Sequence, residues 1–126
     1  MINSISKITI YVNNQEDAKK FWTEKMEFIV TAENPMGPEL TWLEVAPSKT
    51  STTSFVLYLK EAMKNQNPKA NVEHPTLILS TTDIASVHKK MKANGIEVED
   101  LLSMPYGKMF KFKDQDGNDY LLREDQ

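Results

Sequence analysis

The chain is written as two similar halves, and this repeat constrains its folding more than any other feature. Setting Asn14 against Asp83 superposes ITIYVNNQEDAKKFW on LILSTTDIASVHKKM, and one deletion late in the first helix brings Phe28 onto Ile96. In the first half, Lys7 to Val12 places Ile8, Ile10 and Val12 on one face, the period of two that marks a half-buried strand. QEDAKKFWTEKM then carries Ala18, Phe21, Trp22 and Met26 at helical spacing with acids in its first turn, an amphipathic helix. Strands follow over residues 28–32, 41–45 and 54–59, separated by turn-rich ENPMGPE and PSKTSTT. KEAMKNQNPKANVEH reads as a polar linker in which Pro68 discourages a long helix. The pattern then returns: a strand in PTLILSTT, a helix in DIASVHKKMKANG between an Asp83 cap and an Asn94-Gly95 stop, and strands in IEVEDL, KMFKFKD and DYLLRE. The expected architecture is α+β, one domain over residues 1–126 built from two tandem βαβββ modules. Module one covers about 5–59, the linker about 60–73 and module two about 74–126. Neither module is large enough to bury its own sheet face well.

The totals narrow the partners. With 126 residues, 40% hydrophobic and 26% charged, the chain has an ordinary globular composition and buries roughly two thirds of its extended-chain surface. Cysteine is absent, which excludes disulfides, thiolate metal sites and Cys nucleophiles and fits a reducing compartment. The start MINSISKITIYV lacks a basic segment followed by a long apolar run, and no stretch reaches the ~20 apolar residues of a membrane span. The expected location is cytoplasmic, with no membrane partner. A net charge of −3 with scattered lysines argues against a nucleic-acid partner. No GxGxxG, GxxxxGK[ST] or Gly-x-Ser-x-Gly is present, so nucleotide-phosphate cradles and nucleophile elbows are not expected. Asp114 and Asp116 resemble the start of a calcium loop, but the Glu of its twelfth position is missing. A type I turn with Asp caps accounts for them.

YVNNQEDAKKFWTEKMEF, the later STTDIASVHKKMKANGIEV and the closing PYGKMFKFKDQDGNDYLL resemble the glyoxalase, bleomycin-resistance and extradiol dioxygenase superfamily, the vicinal oxygen chelate proteins. The most specific piece is the DxDGN hairpin, in which Gln115 stands where the family writes Pro; the first helix ends Met26-Glu27-Phe28 where the family writes Leu-Gly-Phe. The resemblance implies that each module forms half of a cup-shaped, eight-stranded mixed sheet with helices on the convex face, and that homodimers are common. It also implies four metal-ligand positions. These fall on Lys7, on Leu57 or less readily Tyr58, on Thr76 and on Leu121. An ammonium, alkyl groups and a hydroxyl are poor donors for a divalent cation, so neither a metal nor any other cofactor is expected.

If Ile8, Ile10, Val12, Leu77 and Leu79 face the helices, alternation turns their neighbours inward. The expected ligand-binding lining is then Lys7, Thr9, Tyr11, Trp42, Glu44, Leu57, Thr76, Ile78, Ser80, Met109, Lys111, Leu121 and Arg123, with Tyr106 in PYG at the mouth. Trp42 suits a planar ring, Lys7 and Lys111 a carboxylate or phosphate, and Glu44 a cationic arm. A simpler reading pairs these charges with one another, Lys7 with Glu44 for example. His74 shares a strand face with Thr76 but reads as a polar residue at the linker junction, and His88 as a structural helix residue; a lone imidazole is not a metal site. Three functions stand open. The favoured one is a metal-free protein of the bleomycin-resistance kind that binds an amphipathic small organic molecule, with no catalytic residues assigned. The others are a metal-dependent lyase, isomerase or dioxygenase, and a non-catalytic structural or regulatory dimer module.

Overall fold

The computed structural model describes residues 1–125, so Gln126, at the end of module two, lies outside the described residues. The chain divides into two units between His74 and Pro75. The first runs β1 (Lys7–Val12), α1 (Gln15–Lys20), β2 (Ile29–Pro35), β3 (Thr41–Ala46), β4 (Ser54–Leu59) and α2 (Lys60–Gln66). The second runs β5 (Ile78–Ser80), α3 (Ile84–Ala93), β6 (Leu102–Met104), β7 (Gly107–Lys113) and β8 (Asp119–Asp125). Each holds a four-stranded mixed sheet, ordered β1-β4-β3-β2 in the first and β5-β8-β7-β6 in the second. In both, the first strand lies parallel to the last and the remaining pairs are antiparallel. The repeat in the sequence is therefore a repeat of topology, and the fold is α+β.

In the first unit Asn14 caps α1, its side chain accepting from the Asp17 amide at 2.9 Å, which satisfies a donor that the helix leaves open. Trp22 is fully buried and meets Phe21 at 5.2 Å, Phe28 at 4.9 Å and Phe55 at 5.2 Å between ring centroids. This aromatic cluster joins Ile10, Val12, Leu43, Val45 and Leu57 as the core beneath α1. After Lys20 the helix widens into a π turn over Phe21–Lys25. The turn accommodates the one residue by which the first half exceeds the second: the Phe28 amide reaches back to Trp22 O at 2.8 Å, while its counterpart Ile96 reaches Met91 O at 3.1 Å. Glu27 takes a left-handed φ of 61°, at the place where the second unit has Gly95 at 83°. The backbone keeps the turn even without glycine, at a conformational cost of about 1–2 kcal/mol.

Two expectations need correction. The linker contains a helix: α2 starts directly after β4 and stops at Asn67, ahead of Pro68, with the Asn67 amide bonded to Met63 O at 2.8 Å. It has no buried residue, so it left no apolar period to read. IEVEDL is not a regular strand. Only Val98 bridges to Phe112, and the strand that pairs with β7 is β6, whose Met104 faces Gly107. Pro105 and Tyr106 thus form the two-residue turn of a β6–β7 hairpin. Gly107 (φ 151°) is required there, because a Cβ would lie 2.8 Å from Glu124 O.

The second unit is closed by the DQDGND hairpin. Asp114, only 6% exposed, accepts from the amides of Asp116 (2.9 Å) and Asn118 (3.0 Å), from Asn118 Nδ2 (3.1 Å) and from the Tyr120 hydroxyl (2.7 Å). Tyr120 stacks on Phe112 at 5.1 Å. Burial, followed by the charge and hydrogen bond of Asp114, pushes the Tyr120 hydroxyl far above its usual range, so it stays a donor. The acidic turn is a structural clasp. Asp114→Ala is expected to lower stability by about 3 kcal/mol and Tyr120→Phe by about 1 kcal/mol, measured as unequal shifts of the urea midpoint.

Candidate functional site

Strand register decides which side chains share a face. In the first unit Lys7 pairs with Ser54, Thr9 with Val56 and Tyr11 with Tyr58, while Glu44 pairs with Val56. Alternation along β3 adds Trp42. Lys7, Thr9, Tyr11, Trp42 and Glu44 are therefore gathered on one face, as expected. Leu57 is not. It is partnered with Ile10 and fully buried on the α1 side with Phe55, and Tyr58 takes the place assigned to it. The segment SFVLYL is apolar on both faces, so alternation could not distinguish them.

The centre of this face is a carboxylate. Glu44, 7% exposed, accepts at Oε1 from Lys7 Nζ (2.8 Å) and Ser54 Oγ (2.9 Å), and at Oε2 from Trp42 Nε1 (2.7 Å). Burial pushes its carboxyl up, but the bonds from Lys7, Trp42 and Ser54 and the Lys7 charge together outweigh burial and hold it below the usual range. Each oxygen is occupied, so Glu44 braces its neighbours and is poorly placed to receive a ligand's cationic arm. The indole so fixed stands edge-on to Tyr58 at 6.4 Å, and Tyr58 edge-on to Tyr11 at 6.3 Å. The Tyr58 hydroxyl donates to Gln66 Oε1 of α2 at 2.9 Å. At the start of β3, Gln15 binds Thr41 O (2.7 Å), Leu57 O (2.8 Å) and the Thr41 amide (3.1 Å) through its side-chain amide. Gln15 and Ser54 were missed from sequence, and Tyr58 was named only as the second choice to Leu57, since their roles depend on the β1–β4 and β3–β4 register.

In the second unit Ile78 pairs with Leu121, Ser80 with Arg123, Met109 with Arg123 and Lys111 with Leu121. These six share one face, as expected. Thr76 lies just before β5 and is exposed, as are Ile78 and Lys111. Tyr106, 59% exposed, has Arg123 Cζ 5.6 Å from its ring centroid, and Arg123 Nη2 meets Asp125 Oδ1 at 2.8 Å. His88 is structural: its Nε2 lies 2.9 Å from Glu99 O and its ring stands edge-on to Phe110 at 4.6 Å.

The residues do not fit the metal that the fold family implies. Lys7 presents an ammonium already paired with Glu44, Tyr58 a hydroxyl engaged with Gln66, and Thr76 and Leu121 a hydroxyl and an alkyl group. A divalent ion needs carboxylate or imidazole donors. Among the described residues no group of three or more His, Cys, Asp or Glu could hold one.

Because Glu44 ionises more readily in the folded chain than an exposed glutamate of pKa about 4.3, its stabilisation is complete above that pH and is lost as pH falls through the lower folded value. Glu44→Gln is expected to cost about 1 kcal/mol at neutral pH, discounted for the partly exposed Lys7. The gap from the parent should close on acidification, followed by thermal melts across that range.

The sequence model of the glyoxalase/bleomycin resistance protein/dioxygenase superfamily matches residues 4–120. The uncharacterized protein YetH of Bacillus subtilis (strain 168) is 43% identical over 126 residues, 98% of this chain and 100% of that protein. Among solved structures, TnmS3, an antibiotic binding protein from Streptomyces sp. CB03234, is 29% identical with a TM-score of 0.81 over 99% of this chain and 98% of its own. A glyoxalase/bleomycin resistance protein from the same organism is 30% identical, with a TM-score of 0.74 over 95% and 99% of the two chains. With the duplicated βαβββ topology and a match over almost its whole length, the chain belongs to the glyoxalase, bleomycin-resistance and dioxygenase superfamily.

Proposed function

We propose that this protein binds a small, amphipathic organic molecule without a metal, in the manner of the bleomycin-resistance branch, as a cytoplasmic homodimer. The observation that carries the reading is the Glu44 cluster. Where the family would place a metal donor, Lys7 is tied to Glu44, and the same carboxylate fixes the Trp42 indole. A half-buried indole held by its own N–H is a preorganised plate for a flat, weakly polar ligand, because little side-chain freedom remains to be lost on binding. The antibiotic-binding name of TnmS3, a structure that superposes over nearly the whole chain, supports the same direction. No helix among the described residues is long and apolar enough to cross a membrane.

Thermal-shift screening against metabolite and antibiotic-like collections should find at least one chemical class that raises the melting temperature by several degrees. Trp42→Ala should weaken that class at least tenfold, about 1.4 kcal/mol. Protein stripped of metal and reloaded separately with zinc, nickel, manganese and iron should retain only substoichiometric amounts. Tight one-to-one retention of any of these ions, or a library in which nothing stabilises the protein, would overturn the reading.

A further inference from the structure

We infer that the β7–β8 face of the second unit carries an oxyanion anchor, formed by Lys111 and Arg123, for a carboxylate, sulfonate or phosphate group on the ligand. The inference rests on the small-molecule reading and specifies its charge. In this chain of net charge −3 the cations near the candidate faces mostly have acidic partners: Lys7 has Glu44 at 2.8 Å and Lys113 has Asp119 at 2.7 Å. The Lys111 ammonium has no ion pair or hydrogen bond among the described residues. Arg123 is only half satisfied. Its Nη2 is held by Asp125, but its Nε is buried and has no hydrogen-bond partner among the described residues.

Register brings the two cations to one place. Lys111 stands opposite Leu121 and Met109 opposite Arg123, so Lys111 and Arg123 are diagonal neighbours on one face, a separation within reach of long side chains. Two like charges so placed repel, and a buried Nε–H left without an acceptor costs about 1–3 kcal/mol. A single oxyanion between them removes both penalties. Leu121, Met109 and Ile78 flank the position with apolar surface, which suits the body of an organic anion and strengthens the charged hydrogen bonds. The exposed Tyr106 ring, on the two-residue turn, lies over the guanidinium with Arg123 Cζ 5.6 Å from its centroid. Arg123 is the chain's single arginine, so no other side chain offers the same planar fork for an oxyanion.

The test uses anilinonaphthalene sulfonate and its uncharged parent phenylnaphthylamine, titrated by fluorescence at low salt, together with the lone arginine Nε–H resonance in nitrogen-15 NMR. The sulfonate is expected to bind at least about tenfold more tightly than the parent and to shift the arginine resonance. Lys111→Met, at an exposed position that leaves the fold intact, should weaken the sulfonate about tenfold and leave the parent unchanged. If the parent binds as tightly as the sulfonate, if the arginine signal stays still at saturation, or if Lys111→Met leaves the preference intact, the anchor is wrong while small-molecule binding stands. If neither probe binds, the anchor falls, and the reading beneath it stands or falls separately on the library screen.

Discussion

Everything in each unit follows from the parallel pairing of its first strand with its last. Consecutive strands joined by tight turns pair antiparallel with little loop to order, whereas the β1–β4 and β5–β8 ladders join chain segments far apart in sequence, and the entropy of closing those loops is offset only by a well-packed face. Ile10 beside Leu57 and Phe55 beneath Trp22 supply that face in the first unit, and Phe110, Phe112 and Leu122 do so in the second. Once the ladder is set, the pleat dictates that Lys7 meets Ser54 and that Tyr11 meets Tyr58. The chemistry of the opposite face is a by-product of the core's register.

That opposite face in the first unit is organised around a buried charge, which ordinarily weakens a fold unless its bonds are complete. Here they are nearly complete: an ammonium, a hydroxyl and an indole converge on one carboxylate. The arrangement is an internal ion pair in which both carboxylate oxygens are engaged. The same carboxylate fixes the orientation of the Trp42 indole through its N–H. The two units differ in this respect, since the second leaves its cations less satisfied than the first.

The repeat, β1 and the starts of both main helices were legible because each carries a period that only one kind of element produces, and Asn14 and Asp83 mark the starts chemically; β4 was legible only as a short apolar run between turns. Most of the candidate lining was legible for the same reason: alternation from Lys7 to Tyr11 and from Met109 to Lys111 is unambiguous. Leu57 was misplaced because Val56, Leu57 and Tyr58 are all apolar and all buried, so the strand carries no marker of which side is which. α2 was hidden by its solvated surface. Gln15 and the contact of Tyr120 with Asp114 could not be read at all, since each depends on where one element lands on another and not on any pattern within it.

The π turn at Phe21–Lys25 bears on how such a duplicated chain diverges. An added residue in a regular strand would invert every later side chain; here the residue by which the first half exceeds the second is taken up in a single swollen loop of helix, and β2 then pairs with β3 through a bulge between Val30 and Ala32. Helices therefore serve this architecture as expansion joints. The extra residue of the first unit lies beside Phe21 and Trp22 in the helix, while the β1–β4 ladder keeps an unbroken register from Lys7 to Val12.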